Sequence, residues 1–279
     1  MKRKQTMIML QTAIYVILTI GAFFSAFPVI WMLSCSFKEN SSIFDYPPRL
    51  ITETFSLDAY AAILTNSTQL RFFINSYLVS ILVTVLTLVL ASCAAYSFSR
   101  YDFPGKNVLN TVIIGVQGLP QITLLIPYFG LIVTLQLYDT YLALILTYMI
   151  FTLPYAILIL TSYFNTVPKE LDEAVKIDGA SSFCTLWKII LPISKPGIVA
   201  VGIRTFMQAW NEYLFALTLT KSLSMRTVPV GIQMLMGEYS YQWNEMMAMS
   251  ILGSLPVLIL YLAFQKYFIG GLAAGAVKE

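Results

Sequence analysis

The stretch Glu173-Ala174-Val175-Lys176-Ile177-Asp178-Gly179-Ala180, followed by Leu191-Pro192 and Pro196, is polar, helix-prone and set between two long apolar segments. A simple connection between two membrane spans needs only a few flexible residues. This one runs over residues 164–196 with helix signals of its own. Such a loop is expected to dock on something outside the bilayer.

The flanking segments define the environment. Of 279 residues, 58% are hydrophobic and 11% charged, and the mean hydropathy is +0.75; ordinary soluble domains carry roughly a quarter charged residues. The apolar residues gather into six runs, at about 7–33, 72–97, 108–135, 140–162, 197–220 and 247–268. Each is long enough to cross the roughly 30 Å hydrocarbon layer as a helix. None alternates as barrel strands do, so internal backbone hydrogen bonding requires helices. The expected fold is all-α: a polytopic bundle of six transmembrane helices forming a single domain over residues 1–279.

Lys and Arg set the orientation. With the N-terminus inside, the inner segments hold Lys2, Arg3, Lys4, Arg100, Lys106, Lys169, Lys176, Lys188, Lys195, Lys266 and Lys278. The outer segments hold Lys38, Arg49, Arg71, Lys221 and Arg226. The positive-inside rule therefore places both termini in the cytoplasm and the loop 164–196 with them. The same bias explains the net charge of +3 without a nucleic-acid partner. Met1-Lys-Arg-Lys before an apolar run also resembles a signal peptide. The run is too long for one and lacks a clear cleavage site, which favours an uncleaved first span. Cys35, Cys93 and Cys184 lie in three different segments, giving neither a metal spacing nor a disulfide framework, and histidine is absent. No catalytic residues, metal site or cofactor are expected.

Within the loop, Pro168 suits a first helical turn and Glu170, Asp172 and Glu173 favour a helix N-terminus. Leu171, Ala174, Val175 and Asp178 fall on one stripe, and Gly179 suits the position that ends the helix. Ser181 or Ser182 can cap a second helix, Phe183–Ile190, which Leu191-Pro192 is expected to stop. Pro196-Gly197 is then expected to break the chain before the fifth span. Elsewhere, Gly118, Pro120, Gln121, Pro127 and Gly130 predict kinks or unwinding in the third run. Ser56 is a plausible cap for a short outer helix with Leu57, Tyr60, Ala61 and Leu64 on one face. Asp139 marks a tight outer turn. The segment around Gly231, Gly237, Glu238, Tyr239, Tyr241 and Trp243 reads as a projecting outer loop.

Glu-Ala-Val-x-x-Asp-Gly-Ala with Ile189-Ile190-Leu191-Pro192 resembles the EAA loop of importer permeases of the ATP-binding-cassette superfamily. It departs from that pattern at Val175, where a second alanine is usual. Ser36-Phe37-Lys38, Asn75-Ser76, Phe103-Pro104-Gly105-Lys106, Trp210-Asn211-Glu212-Tyr213 and the segments Gln265–Phe268 and Gly275–Lys278 extend the resemblance along nearly the whole chain. They point to the carbohydrate-uptake branch, of the maltose-transporter type. The resemblance implies a permease subunit in a cell membrane that works with a second related permease, two ATPase subunits and an extracytoplasmic solute-binding protein to import a sugar. It implies that Glu173, Ala174, Asp178, Gly179, Ala180, Leu191 and Pro192 form a coupling helix on the ATPase. It also implies that the outer loop Thr227–Asn244, with Gly237, Glu238, Tyr239 and Tyr241, reaches the binding protein. A non-sugar solute such as a glycerol phosphate is the alternative within the superfamily. Independently, the chain lacks a phosphate-binding G-x-x-x-x-G-K-[ST] motif, so ATP hydrolysis is expected in partner chains.

Inside the fifth run, Arg204 and Glu212 lie eight residues apart, about 12 Å along a helix, too far to pair directly. Arg204 reads as snorkelling toward the inner end. Trp210, Asn211, Glu212 and Tyr213 combine rings with polar groups, as a sugar path requires, or form an aromatic belt at the outer interface. Gln121 is a further candidate for the path. Asn75 reads as a packing residue. Two rivals fit less well. An ion-coupled transporter would carry intramembrane acid or histidine relays. A membrane enzyme would need a cluster of nucleophile, base or metal ligands.

Overall fold

A computed structural model describes residues 2–51, 54–177, 179–237 and 241–276. Apart from an isolated bridge between Met236 and Tyr241, the regular elements among them are helical. They are α1 Lys2–Ser36, α2 Asp58–Thr65, α3 Ser67–Arg100, α4 Lys106–Gln117, α5 Leu125–Thr134, α6 Tyr141–Asn165 and α7 Glu170–Ile177. After these come α8 Ser182–Ile193, α9 Lys195–Trp210, α10 Leu214–Leu219, α11 Val228–Met234 and α12 Trp243–Ala276.

Among the described residues, four helices are long and apolar enough to cross a membrane: Thr6–Ser36, Ser67–Arg100, Tyr141–Asn165 and Trp243–Gln265. The count rises to six if each bent pair is one span. The third run is broken as its glycine and prolines predict. Helix α4 ends at Gly118, a 3-10 turn covers Gln121–Leu124, and the two arms differ in direction by 101°. The fifth run was expected to be continuous over 197–220, but α9 stops at Trp210 and α10 begins at Leu214. The cause is local. Both carboxylate oxygens of Glu212 accept backbone N–H groups, from Phe215 at 2.8 Å and Ala216 at 2.9 Å. They satisfy the first donors of a new helix, which lets the old one end.

The chain divides into two compact units, residues 1–67 with 232–254 and residues 68–231 with 255–279. In the first, α1 is exposed along nearly all of its apolar length. Below it, Ser36 bonds the Tyr60 hydroxyl (2.8 Å) and Phe37 stacks on Phe55. The outer helix α2 buries Ala59 and Ile63, while Leu57 and Leu64 of the expected face are exposed. The hydroxyl of Ser56 accepts the Asp58 N–H at 3.0 Å.

The second unit holds two apolar cores. One gathers Val79, Val83, Leu144, Tyr148, Ala209 and Phe215 from α3, α6, α9 and α10. The other joins Ala91 and Ala95 of α3, Ala156 and Leu160 of α6, and Val201 of α9 to Leu186 and Ile190 of α8. Small residues let these helices approach closely, as membrane helices do. Gly197 is the tightest case: a Cβ there would lie 2.6 Å from the Tyr163 ring of α6. A buried hydrogen bond between Thr87 and Thr152, 2.9 Å, links α3 to α6. Asn75, fully buried, donates to the carbonyls of Ser224 (2.8 Å) and Arg226 (2.7 Å) and accepts from the Tyr141 hydroxyl (2.7 Å).

Candidate functional site

The helix pair α7–α8 is built as the sequence indicates, with two corrections. Gly179 has φ +80°, a left-handed conformation that side chains resist, and the Ala180 N–H reaches back to the Val175 carbonyl at 3.2 Å. This is a Schellman-type stop that satisfies a terminal carbonyl. Ser181 caps α8 by accepting the Cys184 N–H at 3.3 Å.

The first correction concerns Asp172, read as a first-turn charge for the helix dipole: among the described side chains of α7 it is the buried one. Of the stripe Leu171, Ala174, Val175 and Asp178, Leu171 and Ala174 are exposed and Val175 is half-buried. Asp178 lies outside the described residues. The Asp172 carboxylate stands 2.9 Å from Nε of Arg100 and accepts the Tyr96 hydroxyl at 2.7 Å. The same guanidinium donates to the carbonyls of Phe164 and Val167, both at 3.0 Å. One arginine thus ties the end of α3 to the end of α6 and to α7. The charge that dipole arguments place in a first turn turns inward because a fixed cation waits there.

The second correction concerns Leu191-Pro192. It does not stop the helix; α8 continues to Ile193, and the bend of 85° falls at Ser194, before α9. Residues Leu186–Ile190 adopt a π-helical turn. That wider turn eases the clash between a proline ring and the carbonyl four residues back, which otherwise breaks a helix. Pro196 likewise sits in the first turn of α9, where its missing N–H is no loss. Leu191 is half-buried against the core and Pro192 is exposed.

What remains outside is an apolar and acidic patch. Ile177 is 87% exposed and Phe183 65%, alongside exposed Glu173 and Ala174 and a half-buried Ala180. Phe183 and Trp187 lie with ring centres 5.9 Å apart. Burying such side chains is worth about 1.5–3 kcal/mol each.

The α9–α10 break opens a cavity of about 450 Å³. Gln121, Asn211, Glu212 and Tyr213 line it, as do Tyr148, Arg204 and Gln208. Trp210 does not: it is buried against Phe206, stacked at 5.6 Å, and against Tyr77, edge-on at 4.8 Å. Three positions past the end of a helix put Tyr213 and Trp210 on different sides, which sequence adjacency hides. Arg204 faces this cavity, its guanidinium 5.6 Å from the centre of the Tyr155 ring.

Near the loop 227–244, Met236 bridges to Tyr241, and Gly237 is exposed. Glu238 and Tyr239 lie outside the described residues. Tyr241 is partly exposed and stacks on Trp243, with centroids 5.3 Å apart. Asn40 holds both flanks, donating to the Tyr241 carbonyl and accepting the Trp243 N–H, each at 2.8 Å. Asn40, Arg100, Asp172 and Gln208 were not singled out from sequence. Only the positions of Arg100 and Asp172, each just past the C-terminal end of an apolar run, give a sequence signal for a pair.

The structure defines a helical membrane protein with broken spans beside a polar cavity and an amphipathic, exposed loop pinned to its long helices. The chain belongs to the family described as binding-protein-dependent transport system inner membrane component, matched over residues 87–272. It is thus a permease subunit of an ATP-binding-cassette transporter, an inner-membrane component with several membrane-spanning helices. It is 40% identical over 270 residues to the trehalose/maltose transport system permease protein MalG of Thermococcus litoralis, covering 94% of this chain and 96% of that one. It is 34% identical to the sulfoquinovosyl glycerol transport system permease protein SmoH of Agrobacterium fabrum, covering 90% and 88%. Its fold is similar to that of a chain of a bacterial ABC transporter involved in the import of the acidic polysaccharide alginate. The TM-score is 0.81 at 22% identity, over 93% of this chain and 96% of that one.

Proposed function

We propose that the chain is the membrane permease of a sugar or oligosaccharide importer in which a separate ATPase docks on α7–α8. The observation that carries this reading is the loop itself. Its outer side offers Glu173, Ala174, Ile177 and Phe183, while its inner side is locked through Asp172 and Arg100 to α3 and α6. A push on the outside is thereby delivered to the spans. Glu173 contacts the ATPase, Ala174, Asp178 and Ala180 shape the docking edge, Gly179 sets the bend, and Leu191-Pro192 leads back to the membrane. The ATPase must bind the inward- and outward-open states with different free energy, since only differential affinity shifts such an equilibrium.

The assembly comprises this chain, one related permease, two ATPases and a solute-binding protein, with both termini of this chain cytoplasmic. A sugar name in the trehalose/maltose relative and the polar, aromatic cavity at Gln121, Asn211 and Tyr213 support the saccharide class. The loop with Gly237, Glu238, Tyr239 and Tyr241 meets the binding protein. In the reconstituted transporter, Glu173→Lys is expected to weaken ATPase association and abolish ATP-driven uptake; wild-type uptake by that variant contradicts the docking.

A further inference from the structure

We propose that Arg204 makes the cavity at the α9–α10 break selective for a saccharide bearing an anionic group, a carboxylate or a sulfonate. This rests on the permease reading above and specifies its substrate class.

Arg204 lies nine residues beyond Lys195 in α9, about 14 Å along the helix axis and within the apolar fifth run. A charge within such a run is costly and is retained where it serves a pathway or a partner. Among the described residues, no carboxylate lies within ion-pair distance of it. The Tyr155 ring, 5.6 Å away, holds the cation without cancelling its charge. Glu212, the other charged residue lining the cavity, has both oxygens engaged by the N–H groups of Phe215 and Ala216. It caps α10 and forms no ion pair with Arg204. The cavity therefore holds an unneutralised guanidinium.

The surroundings suit a sugar acid. Gln121 and Gln208 line both this cavity and an adjoining one of about 180 Å³, and Arg204 is common to the two. The amides can donate to and accept from hydroxyls, and the Phe151 and Tyr213 rings offer faces for C–H surfaces. A guanidinium presents a planar fork that matches a carboxylate or sulfonate through two parallel hydrogen bonds. A neutral sugar satisfies the amides but leaves the cation without a counter-charge.

The test uses the complete transporter in vesicles of zwitterionic lipid, so that no net-anionic headgroup competes for Arg204. Saturating binding protein delivers either a uronate-terminated disaccharide or the neutral disaccharide of the same linkage. The wild type is expected to take up the acidic probe. Arg204→Gln is expected to lower the acidic-to-neutral uptake ratio about tenfold or more, the scale of a charge-assisted hydrogen bond. Arg204→Lys, which keeps the charge but loses the planar fork, is expected to fall between the wild type and Arg204→Gln. Co-purification of the ATPases checks assembly. If the Gln variant does not assemble, the wild-type preference between the two delivered probes decides in its place. An unchanged ratio in Arg204→Gln, or wild-type uptake of the neutral probe alone, overturns the inference and leaves the saccharide reading standing. Uptake of neither probe by a complex that still hydrolyses ATP overturns both.

Discussion

At Asp172 a single carboxylate decides whether α7 is a rigid part of the molecule. Its side chain is 7% exposed and that of Arg100 is 5% exposed, so the pair is removed from water. Breaking a buried pair from one side leaves the other charge without compensation, at a cost of about 3–5 kcal/mol. Asp172→Ala is therefore expected to lower the thermal stability of the purified subunit and to reduce uptake per ATP hydrolysed. Arg100→Lys keeps the charge but loses the fork to the Phe164 and Val167 carbonyls, so it is expected to reduce coupling as well. Unaltered coupling in both variants contradicts the clamp. Gly179 presents the opposite case: a Cβ would meet nothing within 4 Å, but φ is +80°. Gly179→Ala is expected to cost about 1–2 kcal/mol through backbone strain alone, visible as a lower unfolding midpoint. The glycine was legible in sequence because its signal is local. The inward turn of Asp172 was not, because its cause, Arg100, is 72 positions away.

Among the elements, the broken third run could be read from Gly118 and Pro120, whereas the fifth could not. Nothing in Trp210-Asn211-Glu212-Tyr213 breaks a helix by propensity as proline does. The break depends on where the Glu212 carboxylate points. Proline misled in the other direction at Pro192, since a π-turn upstream accommodates it. The segment around 221–228 is held from both sides. Asn75→Ala is expected to destabilise the unit by about 2–3 kcal/mol, because the Ser224 and Arg226 carbonyls and the Tyr141 hydroxyl lose their common partner. Faster proteolysis near residues 221–228 would report it.

Asp139 supplies a pH-dependent tie to the same segment, accepting the N–H groups of Lys221 (2.8 Å) and Ser222 (3.1 Å). Partial burial raises its carboxyl, but these donors outweigh it and hold it below the ordinary value of 3.8. The stability it contributes is thus fully present above that value and is lost as pH falls through the lower folded value. Between about pH 6 and pH 3, the unfolding midpoint of the wild type is expected to fall more steeply than that of Asp139→Asn. Parallel curves contradict this role.

On the scale of the whole molecule, α1 leaves nearly all of its apolar side uncovered by its own chain, and the α7–α8 patch leaves Ile177 and Phe183 uncovered. The first surface suits lipid or a second permease and the second suits a water-soluble partner, as an acidic, capped element outside the spans requires. The composition made the membrane class legible at once, because twenty-residue apolar runs have few other uses. The purified chain alone is expected to show no measurable ATP binding, and saturable binding would contradict the division of labour.

The central claim, that α7–α8 is the seat of the ATPase, is tested most directly by retention of the ATPase subunits on a permease carrying Ile177→Asp and Phe183→Asp. Two buried apolar anchors of about 1.5–3 kcal/mol each predict at least a hundredfold weaker association, with the permease itself still folded because both side chains are exposed in it. Retention equal to the wild type would contradict the account.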